Sequence, residues 1–174
     1  MTLYLYETRP ASTDRQEVTA FLDRLATALS DAGGEVIESQ VTQGGQQVFT
    51  VAEVADTVAA PELDADELGA AEVSAPARVR LVGAELAEVK AVRPTAGYLV
   101  EWDIPAEIDM DTYLARKQAN SPKYAQVPEV DFLRTYVRED TLKCLCFYDA
   151  PDGDAVVRAR EAGTAPISRL HLLG

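Results

Sequence analysis

Gly97-Tyr98-Leu99-Val100-Glu101-Trp102-Asp103-Ile104-Pro105, or GYLVEWDIP, decides the fold because its centre repeats a run already present at the amino terminus. Tyr98-Leu99-Val100-Glu101 matches Tyr4-Leu5-Tyr6-Glu7, and each copy reads as the first strand of a half-molecule. Each also plants one glutamate among apolar and aromatic neighbours. A strand buried on both faces has no cheap place for a carboxylate, so Glu7 and Glu101 either face a polar interior or mark where the strand leaves the core.

Outward from that stretch, Asp109 starts a helix carrying Met110, Tyr113 and Leu114 that stops before Pro122. Lys123 to Pro128 reads as a loop. Val130 to Val137 and Leu142 to Tyr148 form a hairpin around Glu139-Asp140. A helix follows from about Asp154 to Ala162, and Ile167 to Leu173 is the last strand. The first half repeats the plan. After the strand Leu3 to Thr8, Thr13 and Gln16 are spaced as a capping box. Val18, Phe21, Leu22, Leu25 and Leu29 then form the apolar stripe of a helix ending at Gly33-Gly34. Glu35 to Thr42 and Gln47 to Val54 make a hairpin, Ala55 to Ser74 is a short acidic helix or loop, and Arg78 to Val82 is the fourth strand. Glu85 to Val92 reads as an extra strand or extended connector, and Arg93-Pro94-Thr95-Ala96 as a linker.

Two further matches support a duplication. Val51-Ala52-Glu53-Val54-Ala55-Asp56 aligns with Phe147-Tyr148-Asp149-Ala150-Pro151-Asp152, and Arg78 to Gly83 with Arg169 to Gly174. The first match is offset by 94 residues (98 − 4) and the last by 91 (169 − 78). The expected fold class is α+β: two ferredoxin-like β-α-β-β-α-β halves, residues 1–83 and 96–174, joined by a connector at 84–95. Packing sheet to sheet as a pseudo-two-fold α+β barrel would cover the open face each half leaves.

The 174 residues carry a formal net charge of −13, which disfavours nucleic acid and anionic membrane surfaces as partners. No charged-then-apolar leader opens the chain and no apolar run approaches bilayer length, so the expected location is cytoplasmic, as a monomer or homodimer. Cys144 and Cys146, at i and i+2 of a strand, share a face but are poorly placed to bridge each other. No glycine-rich phosphate loop, G-x-S-x-G or H-E-x-x-H is present.

From Tyr98 onward the chain resembles a small bacterial family of domains of unknown function, typified by an actinobacterial nickel-binding protein with a ferredoxin-like fold. YLVEWDIP, FLRTYVRED at Phe132 to Asp140, CFYDAPD at Cys146 to Asp152 and AREAG at Ala159 to Gly163 carry the likeness. The resemblance implies the fold and a divalent metal. Family members commonly have histidine where this chain has Arg134 and Arg158, and an arginine has no lone pair to give. His171 is the one histidine, so any metal would fall to Glu101 and His171. No cofactor is expected otherwise.

Strand alternation sorts the faces. Tyr98, Val100 and Trp102 go to the helix layer, and Leu99, Glu101 and Asp103 to the other face. Leu133, Thr135 and Val137 are expected on the helix side, with Phe132, Arg134 and Tyr136 opposite. Leu170 and Leu172 go inward, leaving Arg169 and His171 beside Glu101. The expected catalytic set is Glu101, His171, Arg134, Tyr136 and Asp149, with Glu7, Glu38, Glu53, Arg80, Phe132 and Arg169 as substrate-binding residues. Carboxylate and imidazole can move protons near neutrality while arginine holds an anion. That points to a cofactor-independent isomerase, cyclase or lyase acting on a small molecule in a pocket between the two sheets. The alternatives are a binding protein for a divalent metal or small ligand and, third, a purely structural or interaction module; the plain rival reading of the site itself is a structural salt bridge between Glu101 and His171 or Arg169.

Overall fold

Tyrosine- and leucine-rich alternation at the amino terminus builds a long strand, β1 (Thr2–Pro10), in a computed structural model that describes residues 1–92 and 95–174. Two units are present. The first comprises Met1–Val79, residues 89–92 and Gly174; the second comprises Arg80–Glu88 and Thr95–Leu173. The Arg93-Pro94 part of the expected linker lies outside the described residues.

In the first unit β1 leads to α1 (Arg15–Asp31), then β2 (Gly34–Val41) and β3 (Val48–Val54). Asp14, not Thr13, caps α1: its carboxylate accepts the amides of Gln16 at 3.0 Å and Glu17 at 3.3 Å. The α1 stripe is the expected one, with Phe21, Leu25 and Leu29 buried against Tyr6, Val48 and Ala52 of the sheet. The acidic stretch is more structured than its composition suggests. It holds the single turn α2 (Ala65–Leu68), capped by Asp64, and a strand β4 (Ala70–Val73) on the distal end of β1. After a joint at Ser74, the chain rejoins β1 as β5 (Ala77–Val82) through Ala77, Arg78 and Val79. The order is β2-β3-β1-β5, as a ferredoxin-like half requires. The connector is not extended but forms helix α3 (Leu86–Val92), as its alanine, leucine, glutamate and lysine content favours.

The second unit runs β6 (Tyr98–Asp103), α4 (Met110–Asn120), a 3₁₀ turn (Ser121–Gln126), β7 (Asp131–Arg138), β8 (Lys143–Asp149), α5 (Gly153–Ala162) and β9 (Arg169–Leu172). Asp109 caps α4 and Asp152 caps α5. The sheet order β7-β8-β6-β9 is that of the first half. Val100, Val137, Cys144, Cys146 and Tyr148 form the helix-side core with Tyr113, Ala155, Val156 and Ala159.

Ladder registers expose the duplication in finer detail than the sequence does. One bulge interrupts β2 between Val36 and Glu38, and one interrupts β7 between Phe132 and Arg134. Each follows the same pairing, since Glu38 lies opposite Val51 and Arg134 opposite Phe147. A bulge inserts one residue and resets the alternation beyond it. Phe132 therefore stands on the helix side, against Tyr124 and Tyr148, and not beside Arg134 as strict alternation predicts. The last strands also align differently. Leu5 pairs with Ala77 where Leu99 pairs with His171, so Arg80 is not the counterpart of His171.

Candidate functional site

Cross-strand pairing gathers the polar residues of the second unit into two rows. Tyr136, Leu145, Glu101 and Arg169 are successive partners across β7, β8, β6 and β9, and Arg134, Phe147, Leu99 and His171 form the next row. Glu101 is 1% exposed and is held by three side chains: Lys143 Nζ at 2.9 Å on Oε1, Arg169 Nε at 2.8 Å on Oε2 and His171 Nε2 at 2.6 Å on Oε2. Arg169 also forks onto Asp103 at 2.9 and 2.6 Å. Burial alone would raise the Glu101 pKa, but the hydrogen bonds from His171, Arg169 and Lys143 outweigh it and lower it from 4.5 to about 2.

The expected neighbours Glu101, His171 and Arg169 are thus together. Lys143 joins them unforeseen; it pairs with Asp103, one diagonal from Glu101, a position that follows from the hairpin register. Arg134 and Tyr136 are buried on the same face, Arg134 over the Phe147 ring at 4.8 Å and Tyr136 edge-on to it at 5.9 Å. Strand β8 separates them from Glu101, about 10 Å at ordinary strand spacing. Asp149 is elsewhere, at the other end of β8, where it accepts the Gly97 amide at 3.0 Å.

In the first unit Glu7 lies opposite Phe49, and its backbone exchanges hydrogen bonds with Ser74 at the β4–β5 joint. Glu38 is buried and accepts from Gln40 Nε2 at 3.0 Å. Glu53 is buried and paired with Lys90 at 2.7 Å. Arg80 is exposed and forks onto Glu139 of its own unit at 3.0 and 2.8 Å. With Ala77 in the register position of His171, the edge strand of this half lacks the imidazole that serves Glu101.

A cavity of about 300 Å³ opens on the helix side of the second unit, beside the two thiols that share a strand face. Tyr113, Arg116, Lys117 and Asn120 line it from α4, Trp102, Cys144 and Cys146 from the sheet, and Arg160 from α5. Those α4 residues stand at i, i+3, i+4 and i+7, one helix face, a signal present in the sequence. Arg160 likewise falls on the buried stripe of Ala155, Val156 and Ala159. It is 2% exposed; its guanidinium donates to Tyr148 Oη at 3.1 Å and to the Pro166 carbonyl, while Nε has no partner among the described residues.

Cys146 Sγ accepts from Thr135 Oγ1 at 3.1 Å, lies 4.0 Å from Lys117 Nζ and is hydrogen-bonded by Cys144. The Cys144 hydrogen bond lowers the Cys146 thiol pKa well below the ordinary value, aided by the charges of Lys117 and Arg160 and against the cost of burial. Cys144 is pushed up in return, by that hydrogen bond and by burial.

Across the whole chain the fold is that of two solved structures at 10% identity. One is a monooxygenase candidate from Lactobacillus acidophilus NCFM, with a TM-score of 0.54 over 100% of this chain and 94% of that one. The other is a chlorite dismutase candidate, at 0.57 over 100% and 95%. The expected class, α+β with two ferredoxin-like halves, is borne out. No curated protein sequence matches the chain. No described helix is long and apolar enough to cross a membrane. Where YLVEWDIP and its companions carry the resemblance, residues 98–172, less than half of the chain, match the family described as "Nickel responsive protein SCO4226-like".

Proposed function

We propose that this protein binds a small organic anion in the helix-side cavity of its second half. The observation that carries this reading is Arg160. A buried guanidinium normally pairs with a carboxylate, yet its hydrogen-bond acceptors here are a phenol and a carbonyl, and Nε has none among the described residues. Arg116 and Lys117 add positive charge to the same walls in a chain whose net charge is −13. Aromatic walls with a few convergent polar groups are the usual make-up of a small-ligand site.

The acid–base isomerase, cyclase or lyase reading finds less support at Glu101. A general base works best with a pKa near the operating pH, and this carboxylate is held at about 2. A nickel site built on Glu101 and His171 fits poorly too. Both carboxylate oxygens already serve cations, and Lys143 and Arg169 would repel a divalent ion. The geometry favours the salt-bridge alternative for this centre.

Trp102 lines the cavity and is the one tryptophan, so its fluorescence reports occupancy. Titration with small aromatic and aliphatic carboxylates should perturb it, their neutral amides should not, and Lys117→Gln should weaken the response about tenfold, the effect of one nearby charge. An equal response to amides, or none to any carboxylate, contradicts the reading. Nickel binding tighter than micromolar that is lost in Glu101→Gln would restore the metal alternative.

A further inference from the structure

The mechanism of simple anion binding leaves Cys146 unused. Its sulfur is one wall of the cavity and collects three donors, the Thr135 hydroxyl, the Cys144 thiol and the Lys117 ammonium. Tyr113 in turn hydrogen-bonds Cys144, which makes a chain from phenol to thiol to sulfur along one side of the cavity. A thiol kept merely for packing gains nothing from such company; donors converging on sulfur favour its thiolate. The second, independent mark of a ligand site is the Nε of Arg160 in the same cavity wall, which has no partner among the described residues. With Arg116, Lys117 and Arg160 counted against one thiolate, positive charge remains for a ligand.

We propose that Cys146 is the nucleophile of this cavity and that its partner is a small carboxylic acid bearing a soft electrophilic carbon, such as an α,β-unsaturated acid. This rests on the anion-binding reading above. The carboxylate sits among the cationic groups, and the sulfur, a soft nucleophile, meets the carbon. With an unsaturated acid, the Sγ electron pair forms a C–S bond to the β carbon and the C=C π pair moves to the α carbon. That carbon takes a proton from the Lys117 ammonium, which water reprotonates. The product is a thioether adduct, and the reverse steps release the acid. No oxidant or reductant enters.

The test compares an anionic and a neutral alkylating agent on the intact, native protein at mildly acidic pH. With each, Sγ displaces iodide: iodoacetate carries the carboxylate and iodoacetamide does not. The expected result is an adduct mapped by peptide mass spectrometry to Cys146 and not Cys144. Iodoacetate should react on the order of tenfold faster than iodoacetamide, the reverse of an ordinary thiol, and Lys117→Gln should abolish that preference. Cys146→Ser should remove the adduct; should that variant not fold, mapping on the wild type still decides. An adduct on Cys144, or none before unfolding, overturns the nucleophile while leaving Trp102 titration free to test anion binding. An adduct on Cys146 that forms faster with iodoacetamide overturns the anionic substrate and the anion-binding reading with it.

Discussion

Glu101 stays ionised through the neutral range because three donors outweigh the cost of its burial. Its lowered pKa is also a statement about stability. A carboxylate whose folded value lies below its ordinary value contributes fully above that ordinary value and loses the contribution as pH falls through the folded one. The window for Glu101 therefore runs from about 4.5 down to about 2. Glu101→Gln should cost about 3 kcal/mol at neutral pH, since it strands the cations around it. The gap between wild type and variant in urea unfolding should close as pH falls through that window. A gap that stays constant would mean the glutamate is not held as an ion. Sequence reading found Glu101, Arg169 and His171 because alternation and ferredoxin-like order suffice to place edge-strand neighbours. It missed Lys143 because that residue reaches Glu101 on a diagonal, which only the hairpin register fixes.

Elements show where alternation fails. The bulges at Ile37 and Leu133 leave no local signature, and each resets the faces of the strand before it. The error for Phe132 follows from that alone. Its ring packs under Gly83, where φ is +87° and an added Cβ would stand 2.7 Å from Phe132 Cε1. Gly83→Ala should therefore destabilise by about 1–3 kcal/mol through overpacking and a disfavoured left-handed backbone. Phe132→Ala should cost about 2 kcal/mol, as the deletion of a partly buried aromatic packed against Tyr124 and Tyr148. Because alanine at 132 removes the atoms that the new Cβ would meet, the double variant should cost less than the sum of the two. Thermal unfolding of the four proteins measures this coupling; strict additivity would contradict the contact. Helix α4 illustrates the opposite case. Its polar stripe of Tyr113, Arg116, Lys117 and Asn120 was readable, but its meaning was not, since the stripe becomes a wall only when β6, β8 and α5 supply the others.

At the scale of the molecule, the duplication governs the fold and the divergence governs the chemistry. Matching opening strands, the same bulge in each half and the same strand order are what one ancestral unit leaves behind. Substitutions then separate the halves: Arg134 and Tyr136 in the second stand where the ladders put Glu38 and Gln40 in the first, and Arg169 and His171 answer to the β4–β5 joint and Ala77. The cavity, with an Arg160 Nε that has no acceptor among the described residues, lies wholly within the second unit. Its most direct test is the Arg160 Nε–H resonance in a proton–nitrogen spectrum, followed as a small aromatic carboxylate is added. The account predicts a saturable downfield shift as that donor gains an acceptor, accompanied by shifts at the Trp102 indole. An Arg160 signal that stays fixed while the carboxylate binds elsewhere, or a shift reproduced equally by the neutral amide, would contradict it.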